Sequence, residues 1–133
     1  MSSNKIQQPL ENSLALITGA SRGIGAATAK YLANEGAHVI LVARTVGGLE
    51  EVDDEIRQKG GKATLVPIDL TDYNKIDEMG SIIFERFGKL DILISNAGLL
   101  GTIGPLRHID PTVWEKTLAV NLTANWRLIR SLD

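Results

Sequence analysis

Between Leu14 and Thr28 the hydrophobic pattern changes period, and three glycines sit at the change. Leu14, Ala15, Leu16 and Ile17 form a short unbroken apolar run bounded by polar residues, the pattern of a parallel strand covered on both faces. From Gly23 onward, Ile24, Ala27, Thr28, Tyr31 and Leu32 recur at the spacing of one helix face. The stretch therefore predicts strand, glycine turn, helix. Gly19, Gly23 and Gly25 let main-chain N–H groups approach an anion with no Cβ in the way. The helix beginning near Gly23 aims unpaired N–H groups and the positive end of its dipole at the same place. A plainer use of such a turn is close packing of helix on strand, and the spacing Gly-x-x-x-Gly-x-Gly departs from the common Gly-x-Gly-x-x-Gly pattern.

The alternation continues down the chain. Asn34-Glu35-Gly36 supplies a helix stop, and residues 38–42, His-Val-Ile-Leu-Val, read as a second buried strand. Leu49, Val52 and Ile56 mark a helix face ending before Gly60-Gly61, with Glu50, Glu51, Asp53, Asp54 and Glu55 as its solvated side. Residues 63–68 form a third strand, and Asp69-Leu70-Thr71-Asp72 leads into a helix that runs through Phe87 with Ile76, Ile83 and Phe87 inward. Residues 90–95 are a fourth strand. Pro111 opens a long helix on which Trp114, Leu118, Asn121, Leu122, Leu128 and Ile129 trace one face.

Four strands alternating with helices predict an α/β fold, a doubly wound parallel sheet of Rossmann type with right-handed crossovers. Ligands of such sheets bind beyond the carboxyl ends of the strands. Thr18 to Gly25, Ala43-Arg44-Thr45, Asp69-Leu70 and Asn96-Ala97-Gly98 all fall there. At 133 residues the chain suits one domain, with residues 1–11 as a loose tail and residues 12–133 as part of a single dinucleotide-binding domain. Fourteen Lys and Arg against sixteen Asp and Glu leave a charge of -2, which favours neither nucleic acid nor a membrane surface. Cysteine is absent, so thiolate chemistry and disulfides are excluded. No apolar run reaches the length of a membrane span or signal peptide, and the expected location is the cytoplasm.

Thr18-Gly19-Ala20-Ser21-Arg22-Gly23-Ile24-Gly25 resembles the cofactor turn of the short-chain dehydrogenase/reductase family, and later stretches resemble that family in the same order over most of residues 12–131. Where an NAD site usually carries an acid that accepts from the ribose hydroxyls, this chain has Ala43-Arg44-Thr45. A guanidinium there attracts the extra ribose phosphate that an acid would repel, and Arg22 reaches the region from the glycine turn. The expected cofactor is thus NADP(H) in preference to NAD(H), and the resemblance agrees. Cofactor contacts are expected from Gly19, Ser21, Arg22, Gly23, Ile24, Gly25 and Arg44. The resemblance adds Asp69 and Leu70 at the adenine and Asn96, Ala97 and Gly98 along the cofactor. From the residues alone, Asp69 equally suits a helix cap beside Asp72.

Asn121 falls on the apolar helix face, where an unpartnered amide costs about 1–3 kcal/mol, so it is expected to serve a specific partner. In the family it matches the catalytic asparagine whose backbone supports a water in a proton relay. The family's Tyr-x-x-x-Lys pair is missing: Tyr31 is followed four residues on by Glu35, and Tyr73 by Asp77. We therefore expect the nucleotide half of an NADP-dependent oxidoreductase that interconverts a carbonyl and an alcohol, truncated after the fourth strand and its following helix. The alternatives are a catalytically silent NADP-binding module and a structural piece that folds against a partner chain. The implied partners are a small carbonyl or alcohol substrate and, at full length, other copies of the chain. Residues 99–107 mix glycines with apolar side chains near the mouth of the cleft and either meet substrate or merely connect. His38 and His108 lack the companions of a triad or metal site, and no metal is expected.

Overall fold

The computed structural model describes residues 8–133. At its centre is β1 (Leu14–Thr18), paired in parallel with β2 (His38–Ala43) on one side and β4 (Ile92–Ile94) on the other. Outside β2 lies β3 (Lys62–Pro67), giving the order β3-β2-β1-β4. Helices α1 (Gly23–Asn34), α2 (Val46–Gln58) and α3 (Tyr73–Phe87) join the strands. This is the doubly wound parallel α/β sheet that the alternation predicts, and strand order reverses between β1 and β4.

Successive strand residues point to opposite faces, so an unbroken apolar strand feeds two cores. Ala15 and Ile17, with Val39, Leu41 and Ala63, pack under α1 and α2. Leu14 and Leu16, with Ile40 and Val42, pack against Ile76, Met79 and Ile83 of α3 and against the C-terminal helix α5 (Ala124–Leu132).

Three expectations are corrected. Helix α1 turns Gly25, Ala26, Ala29 and Ala33 inward and leaves Ile24 77% and Tyr31 66% exposed. The cause is distance, since α1 lies so close to the turn after β1 that a Cβ on Gly25 would stand 2.1 Å from the Gly19 carbonyl oxygen. Secondly, the long helix from Pro111 is present but not regular: α4 (Pro111–Leu118) passes through a π-helical turn (Ala119–Thr123) into α5. A π turn holds an extra residue and shifts the phase of the helix after it. The inward residues become Val120, Ala124, Leu128 and Leu132, while Trp114, Leu118, Leu122 and Ile129 face outward and Asn121 leaves the buried face. Thirdly, β4 has three residues instead of six. Side chains take part at both ends: at Asp91 the N–H donates to the Leu14 carbonyl at 2.9 Å while Oδ2 accepts from the Leu14 N–H at 2.7 Å, and Thr18 takes over beyond Ile94.

Of the tail expected over residues 1–11, residues 1–7 lie outside the described residues. Residues 8–11 are anchored, with the Leu10 N–H donating to the Glu35 carbonyl at 2.9 Å and Leu10 packed on the α1 core. No helix among the described residues is long and apolar enough to cross a membrane.

Candidate functional site

The ladder between β1 and β4 ends at Ile17 and Ile94. Beyond it Thr18, fully buried, accepts the N–H groups of both Asn96 and Ala97 on its hydroxyl, each at 3.0 Å. A side chain thus replaces the main-chain pairing, Asn96 Nδ2 donates to the Gly19 carbonyl at 3.4 Å across the same two segments, and a cleft of about 490 Å³ lies at the carboxyl edge of the sheet.

All but two of the residues singled out from sequence face this cleft: Gly19, Ser21, Arg22, Gly23 and Ile24 from the first turn, Arg44, Asp69 and Leu70, and Asn96, Ala97 and Gly98. Gly25 does not face it, because its role is the close helix contact described above. Asn121 stands outside the wall as well. Gly19 and Gly23 have φ of 62° and 58°, a left-handed backbone that favours glycine. A Cβ on Gly19 would also meet Asn96 Nδ2 at 3.0 Å and the Ala97 backbone at 3.1 Å.

The helix N-termini differ in a way that bears on chemistry. Asp72 caps α3 by accepting from the Lys75 N–H, and Asp110 caps α4 by accepting from the Thr112 N–H. Helices α1 and α2, which start at the cleft behind Arg22 and Thr45, have no side-chain cap. Their first N–H groups remain available to an anion. Three cations, Arg22, Arg44 and Lys116, line the same cleft with a single acid, Asp69, and none of the three belongs to an ion pair among the described residues. Asp69 Oδ1 accepts from both the N–H and the hydroxyl of Thr71, at 2.9 and 2.8 Å. The Thr71 N–H, ahead of its hydroxyl, Arg44 and Lys116, holds the Asp69 carboxyl below the usual carboxylate range against a smaller opposing effect of burial. Asp69 is therefore ionised at neutral pH, and the helix cap that it equally suited is Asp72. Such a wall can hold a polyanion at one end and a hydrogen-bond donor at Asp69.

Asn121 has found its partner. Its Oδ1 accepts from the Leu99 N–H and its Nδ2 donates to the Leu99 carbonyl, both at 2.7 Å, so the side chain clamps residue 99 at the edge of the cleft. The Asn121 carbonyl accepts from Asn125 Nδ2 at 2.9 Å. Leu100, Ile103 and Leu106, beyond the clamp, are exposed. His38 Nε2 pairs with Thr64 Oγ1 at 2.8 Å and its ring meets the edge of Phe87, a structural setting, while His108 is exposed. Among the described residues no cluster of three or more His, Asp or Glu side chains is arranged to hold a metal ion.

Sequence reasoning put Leu99 near the mouth of the cleft, where it does lie, but missed the roles of Thr18, Lys116 and Val120, the last two lining the cleft. Only Thr18 carried a signal, as the one polar residue closing an apolar strand. A larger cavity of about 690 Å³ lies at the opposite, amino edge of the sheet. The C-terminal ends of α1, α2 and α3 border it, at Asn34, Lys59 and Phe87, so their carbonyls and negative dipole ends disfavour an anion there, and its lysines suit those ends.

Comparison with known proteins agrees with this geometry. The family model described as short chain dehydrogenase matches residues 13–132. A fatty acyl-CoA reductase of Acinetobacter baylyi is 50% identical over 92 residues, covering 69% of this chain and 31% of its own. A short chain dehydrogenase/reductase of Colletotrichum higginsianum is 34% identical over 127 residues, covering 96% and 47%. This chain spans less than half the length of either relative. The crystal structure of a metagenomic short-chain oxidoreductase in complex with NADP superposes with a TM-score of 0.90 at 40% identity, over 92% of this chain and 56% of that one. With the parallel sheet, the glycine turn and the cleft in the family's order, the chain belongs to the short chain dehydrogenase family of oxidoreductases.

Proposed function

We propose that these residues form the nucleotide-binding half of an NADP(H)-dependent oxidoreductase that transfers hydride between the cofactor and a carbonyl or alcohol substrate. The observation that carries this is the uncapped start of α1 and α2 at a cleft whose unpaired Arg22 and Arg44 flank them. The residues suit the cofactor: the left-handed Gly19 and Gly23 leave room that a Cβ would fill or strain, and the free N–H groups suit a pyrophosphate. Arg22 and Arg44 would hold the ribose phosphate, Asp69 and Leu70 the adenine, and Asn96, Ala97 and Gly98 would lie along the dinucleotide. When bound, the nicotinamide supplies or accepts the hydride. Support for NADP over NAD comes from the absence of an acid at residues 43–45 and from the NADP complex of the similar metagenomic oxidoreductase.

In this reading Asn121 acts by holding residue 99 and the helix beside it. The proton donor to the carbonyl lies outside this chain, since neither tyrosine precedes a lysine by four residues. The whole protein would act on a small molecule in the cytoplasm and assemble with copies of itself. Titration of NADPH and NADH into the chain and into Arg44→Asp tests the reading. Charge-assisted hydrogen bonds of about 1.5–3 kcal/mol predict that NADPH binding falls roughly tenfold or more while NADH binding changes little. Equal losses for both cofactors would overturn it.

A further inference from the structure

We infer that Lys116 is a specificity-determining residue of the same cleft, a third cation that α4 contributes to the phosphorylated adenosine end of the nucleotide. This inference rests on the NADP(H) reading above. Arg22 comes from the cap of α1 and Arg44 from the end of β2, whereas Lys116 comes from α4, and all three line one cleft with Asp69 as its only acid. The excess of two positive charges sits in a chain whose overall charge is -2, so it is a local feature and not a general basicity. Like charges gathered on one cleft repel, and an anion with several charges relieves that repulsion.

Two ordinary roles for a helix lysine fail here. Ion pairs on a helix form between residues three or four apart, and the positions around Lys116 at those spacings are Thr112, Val113, Ala119 and Val120, none acidic. A cation in a last helical turn usually answers free carbonyls, but α4 runs on through the π turn into α5, so its last turn is not a helix end. Asp69 is the remaining acid, and the two form no ion pair within 4.0 Å. Its carboxylate is held ionised chiefly by Thr71 and to a smaller degree by Arg44 and then Lys116, which places both cations in its field. A lysine is a point charge on a flexible stem, suited to following a phosphate that the two guanidinium groups have already positioned.

Calorimetric titration with adenosine 2′,5′-bisphosphate and with adenosine 5′-monophosphate, on the chain and on Lys116→Gln and Lys116→Arg, tests the inference. Expected are about fivefold weaker binding of the bisphosphate by Lys116→Gln, a shallower salt dependence, little change for the monophosphate, and recovery in Lys116→Arg. An unchanged bisphosphate affinity in Lys116→Gln, or equal losses on both probes, would overturn the role of Lys116 while leaving the cofactor reading intact. A parent chain that does not distinguish the two probes would overturn both. Lys116 is exposed, so circular dichroism of the variants should match the parent.

Discussion

Replacing Gly25 by alanine puts the tightest contact of the fold under load. Elsewhere in a helix this change stabilises, because alanine loses less backbone entropy, by about 0.5–1 kcal/mol. At Gly25 the new Cβ would stand 2.1 Å from the Gly19 oxygen, 2.6 Å from Asn96 Nδ2 and 2.8 Å from the Gly19 carbonyl carbon. Cβ atoms essentially never approach within 3.0 Å, so α1 must retreat by roughly 0.9 Å or the Gly19 peptide must turn. Two of the three obstacles are main chain and cannot swing aside. Overpacking costs about 1–3 kcal/mol and exceeds the helix gain, so a net loss of about 1–2 kcal/mol is expected, a large share of a typical 5–15 kcal/mol stability. Gly47, near the start of α2 with nothing within 4 Å of its Cβ, is the matched control. In urea melts, Gly47→Ala should hold or raise the midpoint while Gly25→Ala lowers it, and Gly25→Ala should also weaken NADPH binding. If Gly25→Ala melts at the parent's midpoint and binds NADPH as tightly, the close-contact explanation of the alanine face of α1 is wrong.

Asn121→Ala removes both bonds to Leu99, so limited proteolysis should cut residues 99–107 faster with a change of no more than about 1–3 kcal/mol in global stability; unchanged cleavage would refute the clamp. Leu128 is fully buried between α5 and the sheet, and Leu128→Ala should cost about 2–5 kcal/mol by denaturant melt. Burial, then Arg86, Lys62 and Arg57, hold His38 below its ordinary value of 6.5, so the folded chain binds that proton less readily than the unfolded one. Stability present above pH 6.5 is therefore lost as the pH falls from there through the folded-state value, and His38→Gln should flatten that slope in a series of melts. A variant that keeps the slope would point to another group.

Strands were legible wherever both faces are buried, because residues 14–17 and 39–42 have no polar member to confuse with a surface strand. The cap at Asp72 was equally local, one side chain ahead of a helix. The features that stayed hidden depend on distances between elements. The glycine turn allowed for close packing of helix on strand, but nothing in the sequence says that this packing turns Ile24 outward, or that a π turn after Leu118 moves Asn121 off the buried face. The cleft residues announced themselves through their place after strands, which a coarse element map supplies. Lys116 did not, because it becomes a wall residue only through the way α4 is laid beside the sheet.

Thr18 gives the cleft a kinetic character. Because a buried hydroxyl at the end of β1 ties down the Asn96 and Ala97 amides, the floor of the cleft is fixed by bonds within the protein, and binding need not rearrange it. Association should then be a single fast encounter governed by ionic strength, without the slow second phase of a protein that must first rearrange.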